Sequence, residues 1–217
     1  MGKYDKEKMD VLKGARWLSD HGYFASQRGT GGNVSTINKK DNLVLMSPCN
    51  RPYHDLSVDD IGAVDMDPKN ISVSEPFRIE EAMHVSVYHQ RPDATAVIHT
   101  YSAYASVFSV LNKPIPALFD EITYEIGPFV DVVPYAMWGS SEMIENVSNK
   151  LHNKCYCYIL QNHGALCLGS KMKQALKNAE LLERVSQIYY HTLTTGLEIT
   201  RLPESSVQQI IQMRKLK

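Results

Sequence analysis

Residues Arg78 to Ser109 read RIEEAMHVSVYHQRPDATAVIHTYSAYASVFS. Ile79, Met83 and Val87 recur at helical spacing, and Glu80 and His84 stand four apart, so the two polar groups project from neighbouring points of one helix face. Arg91-Pro92-Asp93 ends that helix, because the residue before a proline is pushed out of the helical region. The apolar run Ala94 to Ile98 is short enough for a buried strand and delivers His99 at its end. Farther on, Tyr156, Tyr158, Ile159 and Leu160 form another strand-like run that leads into Gln161-Asn162-His163-Gly164, again a histidine where strand gives way to turn. Two histidines and a carboxylate, each on a firm element, make a donor set for a divalent metal with open coordination positions. The competing reading is that both histidines are satisfied core or turn residues.

Working outward, residues 5 to 22 carry Met9, Leu12, Ala15, Trp17 and Leu18 in an amphipathic pattern that stops at His21-Gly22, which predicts a helix with a glycine terminator. The loop Gln27-Arg28-Gly29-Thr30-Gly31-Gly32-Asn33-Val34-Ser35 meets neither the P-loop nor the dinucleotide fingerprint. Its bare amides, with the Thr30 and Asn33 side chains, suit a small anion; a plain glycine turn is the alternative. Val34 to Met46 reads as a hairpin, Leu56 to Asp60 as a capped turn and Ile61 to Met66 as a strand. Tyr101 to Leu111 has helical spacing and breaks at Lys113-Pro114. Val130 to Val133 is strand-like, and Ser140 or Ser141 caps a helix to about Asn153. Ala165 to Gly169 continues the sheet, Lys171 to Thr195 is a long helix closed by Gly196, and a polar helix starts at Leu202-Pro203. This order implies an α/β sandwich in one domain spanning 1–217, with a mainly antiparallel sheet covered by helices on both sides.

Lys and Arg total 23 against 24 Asp and Glu, a net charge of -1, which gives no electrostatic case for nucleic acid or an anionic membrane. Hydrophobic residues at 43% and charged ones at 22% match a soluble globule, and no stretch reaches the ~18 apolar residues of a membrane span. The amino-terminal residues have no apolar core of a secretory signal. Cys49, Cys155, Cys157 and Cys167 lack C-x-x-C spacing, Cys155 and Cys157 are expected to share a strand face, and a reducing cytoplasm is the natural compartment.

With these pieces laid out, the chain resembles the class II aldolase/adducin family, which includes fuculose-phosphate aldolase and ribulose-phosphate 4-epimerase. The resemblance rests on Gly29-Thr30-Gly31-Gly32-Asn33-Val34-Ser35, Arg91-Pro92-Asp93-Ala94, Ala96-Val97-Ile98-His99, Pro134-Tyr135-Ala136 with Gly139, and Asn162-His163-Gly164, in that order. It implies a class II aldolase-like fold, a C4 homotetramer with active sites between subunits, a small-molecule substrate, a divalent metal held by histidines, and a functional glutamate at Glu80. The chain departs from the family at several positions. Where the family shows His-x-His, this chain has His99-Thr100-Tyr101, so Tyr101 stands at a ligand position; a phenol with an ordinary pKa near ~10 must lose a proton to ligate. Without it, His99, His163 and Glu80 form the two-histidine, one-carboxylate set that often holds iron or manganese. Zinc is the first expectation, with manganese or iron as alternatives. Cys49-Asn50 stands where the aldolases have Thr-Gly, and Arg78-Ile79 where they have Ser-Ser. Arg78 is a forked donor suited to phosphate or carboxylate, and Arg-x-Glu-x-x-x-His looks like the decarboxylase members. The aldolases' tyrosine proton donor falls at Asp120, with Tyr124 one helical turn on.

The expected function is therefore a metal-dependent carbon–carbon lyase acting on a small sugar-phosphate-like ketone through an enediolate, by aldol cleavage. Glu80 moves protons at the reacting carbon, Asp120 or Tyr124 serves the departing group, and Thr30, Asn33, Cys49, Asn50 and Arg78 hold the substrate. A decarboxylase using the same intermediate and a non-catalytic oligomeric module of the adducin kind are the alternatives.

Overall fold

The computed structural model describes residues 2–25, 31–49, 51–67 and 79–215, so the predicted substrate contacts Thr30, Asn50 and Arg78 lie outside the described residues. The chain order is α1 (Asp5–Asp20), β1 (Asn33–Asn38), β2 (Leu43–Met46), β3 (Gly62–Asp65), α2 (Ile79–Gln90), β4 (Ala96–Thr100), α3 (Ala103–Leu111), β5 (Ile115–Pro116), α4 (Asp120–Glu125), β6 (Phe129–Val133), α5 (Ser141–Lys150), β7 (Cys157–Leu160), β8 (Gly164–Gly169), α6 (Met172–Thr194) and α7 (Glu204–Lys215). Among the described residues the strands make one eight-stranded sheet in the order β3-β2-β1-β4-β8-β7-β6-β5. Only the β6–β7 pair is parallel; the others are antiparallel, as the element order implied.

The sheet is covered on both faces, which is why β4, β7 and β8 read as unbroken apolar runs rather than as alternating ones. Side chains alternate between two cores. Ile98, Cys157, Ile159, Ala165 and Cys167 face one layer with Leu12 and Ala15 of α1, Phe108 of α3 and Leu182 and Val185 of α6. Val97, Tyr158, Leu160, Leu166 and Leu168 face the other with Met83 and Val87 of α2 and Met143 and Val147 of α5. Because His99 follows Val97 by two along β4, it lies on the α2 side of the sheet.

The helix stops match their residues. Gly22 and Gly196 adopt φ of +75° and +69° after α1 and α6. Ser140 caps α5, its side chain accepting from the Met143 amide at 3.2 Å. Ser57 and Asp60 form a reciprocal capping box at the predicted turn. Two expectations are corrected. The helix expected to reach Asn153 ends at Lys150 and continues as a 3₁₀ turn, Leu151–Asn153. Cys155 and Cys157 do not share a face, because Cys155 precedes β7, just after Lys154 at φ +57°, and packs in the α2 layer while Cys157 packs in the α6 layer. The acidic and aromatic segment at Leu118–Glu125 resolves into α4, preceded by the two-residue strand β5. No helix among the described residues is long and apolar enough to cross a membrane.

Candidate active site and metal centre

Three elements bring Glu80, His99 and His163 together. Glu80 sits in the first turn of α2, where the helix dipole favours a carboxylate. His99 is one residue from the end of β4, fully buried, and its backbone pairs with Asn33 of β1 on one side and Leu166 of β8 on the other. His163 closes the tight turn from β7 to β8, in which Asn162 takes φ +53° and the His163 amide donates to the Leu160 carbonyl at 3.0 Å. Two glycines permit this approach. A Cβ on Gly164 would collide with the Thr100 carbonyl and stand 3.3 Å from His99 Nε2. One on Gly32, at φ +76°, would collide with the His99 carbonyl and the Phe24 ring.

One ligand atom from each of Glu80, His99 and His163 falls within 4.8 Å of the others. His99 Nδ1 is 3.3 Å from Glu80 Oε2, and the two imidazole centroids are 4.7 Å apart, nearly edge-on at 79°. The Tyr101 hydroxyl hydrogen-bonds His163 Nε2 at 2.8 Å. Burial alone would raise the Glu80 pKa, but the charge and hydrogen bond of His99 and the Trp138 bond outweigh it and hold the carboxyl at about 2. Burial, reinforced by the nearby His99, lowers His163 to about 4. Burial, reinforced by Glu80 and Cys49, pushes the Tyr101 phenol well above its ordinary range. At neutral pH the cluster thus presents an ionised Glu80 carboxylate beside a neutral His163 imidazole, each in the form in which it can ligate a cation. His99 Nε2 and His163 Nδ1 are buried with no hydrogen-bond partner among the described residues. The donor types and these orphaned nitrogens fit a divalent ion, which Glu80, His99 and His163 could hold, with the Tyr101 hydroxyl bonded to His163 beside them.

Around this group lie two of the predicted substrate contacts. Asn33 is fully buried, its Nδ2 donating to Cys49 Sγ at 3.5 Å and its Oδ1 without a partner among the described residues. The Cys49 thiol is 3.8 Å from Glu80 Oε2, and burial, then the Glu80 charge, pushes its pKa up to about 12, so it stays protonated. Beneath the site His84 is fully buried, its Nδ1 2.7 Å from Ser35 Oγ, which in turn is 2.7 Å from the Tyr88 hydroxyl. Asp120 and Tyr124 are not brought to this cluster within the chain. They stand on α4, which packs against α6 and α7. Asp120 lines a cleft with Arg184 and Ile188, and Tyr124 lines another with Asp93, Tyr156 and Arg214. Trp138 is the residue that sequence reasoning passed over. Its indole N–H donates to Glu80 Oε1 at 3.2 Å, and the only signal for it was its place inside the Pro134-to-Gly139 motif.

The family model described as Class II Aldolase and Adducin N-terminal domain matches residues 9–190. The chain belongs to the class II aldolase and adducin family. Within that family it is 34% identical over 184 residues to the L-fuculose phosphate aldolase of Haemophilus influenzae, covering 85% of this chain and 83% of the relative. It is 31% identical over 205 residues to the 5-deoxy-D-ribulose 1-phosphate aldolase of Bacillus thuringiensis serovar kurstaki, covering 94% and 93%. A solved class II structure, an L-fuculose 1-phosphate aldolase, superposes with a TM-score of 0.87 at 26% identity, covering 99% of this chain and 98% of its own. The mixed sheet flanked by helices is the class II aldolase fold.

Proposed function

We propose that this chain is a metal-dependent aldolase that cleaves a short ketose 1-phosphate. The observation that carries the reading is the convergence of Glu80, His99 and His163 within 4.8 Å, in a chain whose relatives are named fuculose-phosphate and deoxyribulose-phosphate aldolases. These three residues would hold a divalent ion, zinc first and manganese or iron next, and it would supply Lewis-acid polarisation of the substrate carbonyl and its neighbouring hydroxyl. Glu80 is the proton carrier at the carbon beside the carbonyl: it takes that proton in the condensation direction and returns it in cleavage. Asn33, whose Oδ1 has no partner among the described residues, and Cys49 border the same space, and Thr30, Asn50 and Arg78 bind the phosphate end. Tyr101, bonded to His163, would be a further ligand on losing its proton.

Asp120 or Tyr124 serves the hydroxyl of the departing aldehyde from a neighbouring subunit of a homotetramer, because α4 packs against α6 and α7 rather than against the chain's own metal donors. Both named relatives are aldolases, so aldol cleavage is carried forward over decarboxylation. Cleaving a ketose 1-phosphate between its third and fourth carbons releases dihydroxyacetone phosphate and an aldehyde. The test is release of dihydroxyacetone phosphate from L-fuculose 1-phosphate and 5-deoxyribulose 1-phosphate by metal-loaded and chelator-treated protein. Turnover in the first and little in the second is expected. No release from either substrate by the loaded protein would remove the proposal.

A further inference from the structure

The loop Pro134–Gly139 bridges two of the three elements that carry the metal donors. At its start the Tyr135 amide donates to Gln161 Oε1 at 3.0 Å, two residues before His163. At its end Gly139 takes φ +83° and the Ser140 amide closes on the Met137 carbonyl at 3.0 Å, a tight turn that directs Trp138 back toward α2. There the indole N–H reaches Glu80 Oε1 at 3.2 Å. The other carboxylate oxygen, Oε2, faces His99 Nδ1 at 3.3 Å and the Cys49 thiol at 3.8 Å. A glutamate side chain has three rotatable bonds, and donors on opposite oxygens fix both the plane and the rotation of its carboxylate. Trp138 is 47% exposed, so its N–H could be satisfied by solvent, and burial does not explain the choice of Glu80 as acceptor. An indole nitrogen only donates, so in this bond Glu80 Oε1 is the acceptor.

We infer that Trp138 is the positioning residue of Glu80, orienting its carboxylate for the proton transfer and for the cation site by a hydrogen bond that links α2 to the turn carrying His163. This rests on the aldolase reading for its kinetic consequence, but not for the contact itself. Trp17 is the only other tryptophan in the chain and lies on α1, stacked on His21, which makes Trp17→Phe a background in which Trp138 is the sole source of tryptophan emission. In that background Glu80→Ala, which removes the acceptor, is expected to shift the Trp138 emission, and added Mn²⁺ is expected to change the emission of the Glu80 protein saturably. Trp138→Phe keeps the ring and removes the donor; it is expected to lower kcat about tenfold with KM within about twofold, the size of one hydrogen bond to a charged group, and to weaken Mn²⁺ binding severalfold. Trp138 emission indifferent to Glu80→Ala, or a Trp138→Phe protein with unchanged kcat and Mn²⁺ affinity, overturns the inference. If the wild type cleaves no ketose phosphate the proposed activity fails, while the fluorescence and Mn²⁺ titrations still decide for or against the role of Trp138.

Discussion

His163 contributes a neutral imidazole to the donor group, so its removal is the direct test of metal binding. Elemental analysis of wild type is expected to show near-stoichiometric divalent metal, and His163→Ala little; equal metal in both would reject the site. Tyr101 raises a sharper question, because its phenol already bonds His163 Nε2 and is held protonated by burial and by the charge of Glu80. Replacing it by histidine exchanges a group that must lose a proton for one that is already a ligand at neutral pH. Tyr101→His is expected to raise zinc affinity and alter turnover, read by calorimetric titration. The wild type is expected to bind added metal at micromolar affinity or better, about 8 kcal/mol. A flat titration across zinc, manganese, cobalt and ferrous iron would favour the non-catalytic alternative.

At the scale of elements, the site depends on how closely β8 and α2 approach β4. Gly164→Ala would drive a Cβ into the Thr100 backbone, which cannot yield as a flexible side-chain tip would. Its expected cost is ~1–3 kcal/mol, typical of overpacking, measured by denaturant unfolding; unchanged stability would mean that β8 shifts freely. α2 is locked onto β1 by His84, whose pKa burial, then the neighbouring His99, lowers to about 3. His163 is lowered in the same sense, to about 4. Both histidines bind a proton near 6.5 when unfolded but stay neutral when folded, so the unfolded state holds more protons between these values. Their contribution to stability is complete above about pH 6.5 and is lost as pH falls toward 4 and then 3. Metal-free protein is therefore expected to unfold at lower denaturant at pH 5 than at pH 7. In the folded chain Glu80, held at about 2, stays ionised at both pH 5 and pH 7. Equal or greater stability at pH 5 would contradict the burial of these two rings.

For the molecule as a whole, the placement of α4 leads to a prediction about assembly. Asp120 and Tyr124 pack with α6 and α7, while the donor group lies on the α2 side of the sheet. If sites form between subunits, a variant lacking Glu80 and one lacking the α4 groups damage different halves of each site. Glu80→Gln and the double variant Asp120→Asn, Tyr124→Phe are each expected to be nearly inactive, and co-refolded mixtures to regain part of the activity. Light scattering is expected to give four copies per particle. A monomeric particle, or mixtures no more active than their parts, would leave α4 outside the chemistry.

Period and punctuation in the sequence determined the strands and helices. The helical spacing of Ile79, Met83 and Val87, the break at Arg91-Pro92-Asp93, and the apolar runs ending at His99 and His163 were legible because local sterics and hydrophobic pattern act over a few residues. The same locality made Glu80, His99 and His163 nameable as donors, each at the end of a readable element. Tertiary structure alone decided the rest. Cys155 and Cys157 were assigned one face by counting, but the backbone at Lys154 resets the alternation before β7 begins. Trp138 meets Glu80 from 58 residues away, through a loop whose aim is set by the turn at Gly139 and by the anchor at Gln161, and no local pattern encodes that pairing. Chain neighbours determine which element forms; which side chains then converge depends on how the sheet orders its strands and on where backbones without a Cβ allow close approach.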